Sequence, residues 1–205
     1  MCSYKFIYED RTIDNGNPEW RFYNNEEACR IFFNDLPPFA PSYTCGKIVK
    51  KSLFDNLRFR EDIFLMEDTL LNTELLLKCR NGIIVSNQTL YNYIQRTGSA
   101  SKSYSRRRVT SFYAIEELFG LAQMISPQYE KSFLKVYNKL NFAILHDIIR
   151  YDFKNSEDMY IEISKGIIKK FWSSMFSKEV YWKHKIHLVA LKINPYFYKW
   201  IIGVF

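Results

Sequence analysis

Apolar and polar positions follow two different periods along this chain. The run CSYKFIY, residues 2–8, has the aromatic and β-branched content of a strand, and Asp14, Asn15, Gly16, Asn17 and Pro18 after it predict a turn or hairpin loop. Ala28, Ile31 and Phe32 recur at helical spacing. Asn24 or Asn25 is suited to cap that short helix, which runs through Phe33 before Pro37 and Pro38 stop it. Beyond the prolines, a short helix is expected around Lys51 to Asn56. A firm helix is expected from Glu67 to Cys79, with Leu70, Leu71, Leu75 and Leu76 as its apolar stripe and Asn81-Gly82 as its stop. GIIVS then reads as a short buried strand and LYNYIQ as a second. From about Val109 onward the period is 3.6, with Phe133, Val136, Tyr137, Leu140, Ile144 and Ile148 on one face. This order predicts an α+β unit with a small sheet over residues 1–102, followed by a mostly helical region over 103–205.

Composition narrows the class. With 47% hydrophobic residues, 7 glycines and 6 prolines in 205 residues, the chain can bury a core and does not read as disordered. No run of 18 uncharged apolar residues is present, and the start MCSYKFIYED lacks the apolar segment of a signal peptide, so a soluble or surface-bound protein is expected. Cys2, Cys29, Cys45 and Cys79 form no CxxC pair, so they are expected to be reduced, buried small hydrophobes in a cytoplasmic protein. His184 and His187 could share a helix face, but no third ligand stands near them in the sequence, so no metal site is expected.

Charge separates the two regions. Residues 1–100 hold 12 basic and 13 acidic side chains, and residues 101–205 hold 17 and 9, so the whole excess lies in the second half. Near the C-terminus the lysines alternate with Tyr181, Trp182, Ile186, Val189, Phe197 and Trp200. Rings with one apolar and one polar end, mixed with lysine, suit the headgroup region of an anionic bilayer. The same stripe could also pack on the rest of the protein. Nucleic-acid signatures are absent, so no nucleic-acid partner is expected.

Glu67 and Asp68 stand where an irregular segment meets a helix N-terminus. Free backbone N–H groups and the helix dipole favour a carboxylate as the anion there. That placement suits a general base that takes a proton from a hydroxyl, and it equally suits a plain helix cap.

The surrounding stretch, residues 46–101, supplies a pattern. Gly46-Lys47 opens a basic, hydrophobic run, Arg58-Phe59 follows, and then the Glu67-Asp68 pair; Leu90, Tyr91 and Tyr93 come next, and Arg96, Gly98 and Ser99 close the block. In order and spacing this resembles the acceptor-side half of family 2 glycosyltransferases, which have an α/β GT-A fold, and the ending ALKINPYFYKW resembles tails of bacterial members that build surface polysaccharide. The resemblance implies an inverting transfer of sugar from a nucleotide-sugar to a glycan or lipid-linked acceptor. Asp68 would be the base and Glu67 the acid that orients acceptor. Arg96 and Gln95 would approach the donor diphosphate, where a guanidinium offsets leaving-group charge. Lys47 would position groups near the site, or be an exposed turn lysine. Tyr91 and Tyr93 would pack the core or stack a sugar.

Family members begin with a nucleotide-binding half that carries an Asp-x-Asp motif for a divalent cation, Mn or Mg. No Asp-x-Asp occurs in these 205 residues, and the seven glycines are scattered singly. The expectation is therefore a truncated or split enzyme without a cofactor of its own, inactive in isolation and working at the inner membrane face. The alternative is a non-catalytic acceptor-binding or membrane-docking module that acts beside a separate donor-binding chain.

Overall fold

The computed structural model describes residues 1–8, 10–14, 16, 19–33, 43–95 and 104–204. The chain is mixed α/β and divides into two compact units, Met1–Ser103 and Tyr104–Phe205.

In the first unit, strands β1 (Cys2–Ile7), β2 (Thr12–Asp14), β3 (Trp20–Tyr23) and β4 (Ile83–Ile94) form one sheet in the order β2-β1-β4-β3. β1 is antiparallel to β2 and parallel to β4, while β3 is antiparallel to β4. A parallel pair needs a long crossover, and here it contains the two helices α1 (Asn25–Phe33) and α2 (Glu67–Lys78).

Three details differ from the expectation. The first hairpin turns between Tyr8 and Arg11, where the Tyr8 N–H donates to the Arg11 carbonyl at 2.8 Å, so Asp14 ends a strand that the turn residues around it concealed. β3 was hidden as well, because Trp20 and Phe22 are both exposed and give no inward and outward alternation. GIIVS and LYNYIQ are one strand. Its first half pairs with β3, its second with β1, and the register jumps between the Cys2–Ser86 and Tyr4–Tyr91 pairs. Gly16 lies against that irregular stretch, where an added Cβ would come within 2.6 Å of Thr89 Cγ2.

The helices follow their local signals. Asn24 caps α1 by accepting from the Glu27 N–H at 2.9 Å, and the Glu27 carboxylate accepts from the Asn24 N–H at 3.0 Å, a reciprocal capping box. Asn25 then donates to the carbonyls of Leu76 and Cys79, which ties α1 to the end of α2. Leu70, Leu71, Leu75 and Leu76 of α2 are all buried. Lys51–Phe54, where a short helix was expected, is a single 3₁₀ turn.

The second unit is helical: α3 (Ser111–Ile125), α4 (Pro127–Asp147), α5 (Glu157–Lys169), α6 (Phe171–Phe176), α7 (Trp182–Ile193) and α8 (Pro195–Val204). Ser126 accepts from the Gln128 N–H and Pro127 takes the first helical position, so α4 begins one residue after α3 ends. Tyr137, Tyr160 and Tyr198 are wholly buried at its centre. Among the described residues, no helix is long and apolar enough to cross a membrane.

Candidate functional site

β1 and β4 place Tyr4 opposite Tyr91 and Phe6 opposite Tyr93, so one face of the sheet carries a band of rings. Tyr43 stacks on Tyr93 with ring centroids 5.2 Å apart and meets Tyr4 edge-on at 5.7 Å. The Tyr4 hydroxyl donates to the Cys45 carbonyl at 2.7 Å, which pins the segment leading to Gly46. Gly46 has a φ of +64°, which strains any side-chain-bearing residue, and an ideal Cβ there would meet Cys2 Sγ and the Tyr4 ring tightly, at 3.2 and 3.3 Å. This turn delivers Lys47, which is half-buried rather than an exposed turn lysine.

Asp68 and Glu67 occupy the first turn of α2, and both are half-buried. Neither is the cap. The N-cap position belongs to Met66, whose φ of 73° is left-handed, a conformation that costs a side-chain-bearing residue about 1–3 kcal/mol and occurs preferentially at functional sites. Asp68 accepts from the Thr69 N–H at 2.7 Å. Its charge is felt at Lys47, Tyr43 and Tyr93, so the carboxylate belongs to the same electrostatic neighbourhood as the aromatic band.

The electrostatics correct one expectation. The helix N-terminus was expected to hold Asp68 firmly as the anion. Instead burial pushes its pKa up, against the Thr69 N–H and hydroxyl and the Lys47 charge, which act to lower it. Glu67 is also raised, by burial first and then by Asp68 beside it, against its own backbone N–H. Burial likewise brings Lys47 down to about 8, although Cys45, Asp68 and Cys2 oppose the shift. Desolvation therefore outweighs the hydrogen bonds and the Lys47 charge that favour the anion at Asp68. A carboxylate raised in this way is a stronger base, and a lysine near 8 can give up its proton close to neutrality.

A cavity of about 770 Å³ opens in the same unit, lined in part by Trp20, Lys47, Asn72, Leu76, Arg80 and Ile84. Lys47 and Asn72, one helical turn beyond Asp68, connect it to the acidic pair, yet neither Glu67 nor Asp68 lines it. Gln95 continues the sheet through its N–H, which donates to the Ile7 carbonyl at 2.8 Å. Arg96 lies outside the described residues, as do Gly98 and Ser99. Among the described residues, no group of three or more His, Cys, Asp or Glu side chains could hold a metal ion.

Tyr4 and Tyr43 were not foreseen as part of the site. The alternation of Tyr4 and Phe6 along the first strand was the available signal. The expectation that all four cysteines are buried holds only for Cys29; Cys2, Cys45 and Cys79 are partly exposed, and all four are free thiols.

In the second unit a third histidine does meet the expected pair. His146 of α4 bonds the Tyr198 hydroxyl at 2.8 Å, and the same hydroxyl reaches His187 of α7 at 3.1 Å. Phe142 stacks on His184 at 5.8 Å between ring centroids. Burial lowers all three imidazole pKa values. The group is a packed polar cluster around the Tyr198 hydroxyl.

No family model, curated protein or solved structure matches this chain.

Proposed function

We propose that the first unit is the acceptor side of an inverting, family 2-like glycosyltransferase, which moves a sugar from a nucleotide-sugar to a glycan or lipid-linked acceptor in the cytoplasm. The observation that carries this reading is the half-buried Asp68, its pKa raised by burial, in electrostatic contact with Lys47 and the Tyr43–Tyr93 pair and two residues after a left-handed Met66.

In the proposed step the acceptor hydroxyl loses its proton to the Asp68 carboxylate and its oxygen attacks the anomeric carbon. The bond from that carbon to the nucleoside diphosphate breaks, and the diphosphate leaves with the electron pair. Attack from the face opposite the leaving group inverts the centre. Glu67 orients the acceptor, the tyrosine faces stack against its sugar ring, and Lys47 neutralises charge near the reacting oxygen. Gln95, just past the end of β4, is assigned to the donor diphosphate, a role that the family resemblance also gives Arg96. The nucleotide and its divalent cation would be held by a separate donor-binding segment, and no step here is routed through a metal.

One observation favours a second reading, a non-catalytic acceptor-binding module: the cavity is lined by Lys47 but by neither carboxylate.

Saturation-transfer NMR with oligosaccharides is expected to show contact with the chain, and Tyr93→Ala to abolish it. Calorimetric titration with UDP-sugar and Mn²⁺ or Mg²⁺ is expected to show no saturable micromolar binding, and such binding would contradict the division of labour proposed here. Once a donor-binding half is supplied, Asp68→Asn is expected to lower turnover at least about 100-fold with saccharide contact retained. Unchanged turnover would leave the binding-module reading.

A further inference from the structure

Helix α7 is apolar on two opposite sides. His184, Leu188 and Leu191 are buried in the second unit. On the other side Trp182, Ile186, Val189 and Ile193 are 74%, 60%, 42% and 69% exposed. Their spacing of four, three and four residues keeps them within an arc of about 60° at 3.6 residues per turn. A helix that packs one face and meets water with the other is normally polar outside. The outward stripe continues onto the neighbouring helices. Met175 of α6 and Phe197 of α8 join Ile186, Val189 and Ile193 in one apolar groove of about 360 Å³. Two stacked aromatic pairs extend it: Trp172 with Phe176 at 5.8 Å, and Phe197 with Trp200 at 6.1 Å.

The charge around this face has one sign. Residues 171–205 contain Lys178, Lys183, Lys185, Lys192 and Lys199 against a single acidic residue, Glu179. Lys185 lines the groove itself, and Lys192 lies over the Phe171 and Trp172 rings at 4.7 and 5.7 Å. Glu157 of α5, which accepts from the Tyr196 hydroxyl at 2.9 Å, is the acidic group nearest on the adjoining helix.

We infer that the outer face of α6, α7 and α8 docks on an anionic lipid leaflet. The stripe and the groove enter the boundary between headgroups and acyl chains while the flanking lysines meet lipid phosphates. Charge selects this occupant. A second copy of the chain, paired about a two-fold axis, would bring the same lysine-rich surface against itself with only Glu179 and Glu157 as acidic counterparts. A bilayer bearing anionic headgroups supplies both the apolar layer and the opposite charge. The inference stands on the second unit alone and is independent of the transferase reading.

Flotation of the full chain with phosphatidylcholine vesicles, with and without phosphatidylglycerol, tests it. Partitioning is expected to be at least about tenfold stronger with phosphatidylglycerol and to fall with salt. Brominated lipids are expected to quench the fluorescence of the unaltered protein through Trp172, Trp182 and Trp200. The double variant Ile186→Glu, Ile193→Glu, at exposed positions of an intact helix, is expected to lose at least about tenfold of the partitioning with unchanged circular dichroism. The double variant Lys183→Glu, Lys185→Glu is expected to lose about 25-fold on anionic vesicles, about fivefold per lysine, and to behave normally on neutral ones. Equal recovery from both vesicle types, no recovery from either, unchanged partitioning of the variants, or a dimer that the isoleucine substitutions convert to a monomer would each overturn the inference.

Discussion

The tyrosines at the centre of Tyr104–Phe205 each meet a polar partner: Tyr137 donates to Glu116, Tyr160 to the Pro195 carbonyl at 2.6 Å, and Tyr198 lies between His146 and His187. In Met1–Ser103 the comparable half-buried groups are ionisable, Lys47, Glu67 and Asp68, and burial pushes each one toward its neutral form. The difference is one of solvation. A neutral hydroxyl is satisfied indoors by one good hydrogen bond, whereas a charge taken out of water needs a close counter-charge and several donors or acceptors. The helical unit has buried polar groups that specify packing. The sheet unit holds a shifted lysine and shifted carboxylates near a left-handed Met66, a combination that marks a candidate site.

Four changes would break or sharpen this contrast. The largest effect is expected from Leu145→Ala. Leu145 is wholly buried in α4, and its loss should cost about 3 kcal/mol in urea denaturation. Hydrogen exchange followed segment by segment should place that loss in Tyr104–Phe205 and leave the amides of Met1–Ser103 protected; a loss shared equally would mean that the two units unfold as one.

Acid should come next. A histidine whose folded pKa is depressed binds its proton more weakly when folded, so the helical unit loses stability as pH falls through about 6.5 toward the folded values of His146, His184 and His187. The expected loss between pH 7.5 and 5.5 is about 1 kcal/mol, held down because water still screens these rings. Replacing His184 and His187 together by glutamine should flatten the profile.

Met66→Gly tests strain on the other side of the comparison. It should stabilise the sheet unit by several tenths of a kcal/mol, up to about 1, because glycine accepts a positive φ that a Cβ resists. Thermal denaturation measures it, and a clear loss would show that the Met66 side chain contributes more by packing than its backbone costs.

The smallest effect is expected from Asp68→Asn. A carboxyl group with a raised folded pKa stabilises the fold least when ionised, so stability is lost as pH rises from the unfolded value through the folded one. The amide should therefore stabilise the chain slightly near neutrality, by less than about 0.5 kcal/mol given the remaining solvent contact, and the gain should vanish below about pH 4. Paired urea titrations at the two pH values would reveal the crossing.

Much of this architecture was legible in the order of the residues, because the signals are local. The Asn24 cap of α1, the leucine stripe of α2 and the 3.6 period after Val109 each act within about one helical turn of chain, and neighbouring residues suffice to define them. The short strands β2 and β3 were not legible. Three or four residues carry little period, and what makes them strands is the hydrogen-bonding edge that β1 and β4 offer them.

The candidate site divides in the same way. Asp68, Glu67 and Lys47 could be named through the family resemblance, but the direction of their pKa shifts could not, since desolvation depends on which rings and backbone close around a carboxylate. His146 stands 41 residues before His187, and only the packing of α7 and α8 on α4 brings the two together around Tyr198. By itself the sequence determined α1 and α2, the helical character of the second half and its excess of positive charge, because those depend on near neighbours and composition. The tertiary structure decided the sheet order, the protonation balance at Asp68 and the outward apolar stripe of α7, because burial is a property of what distant segments cover.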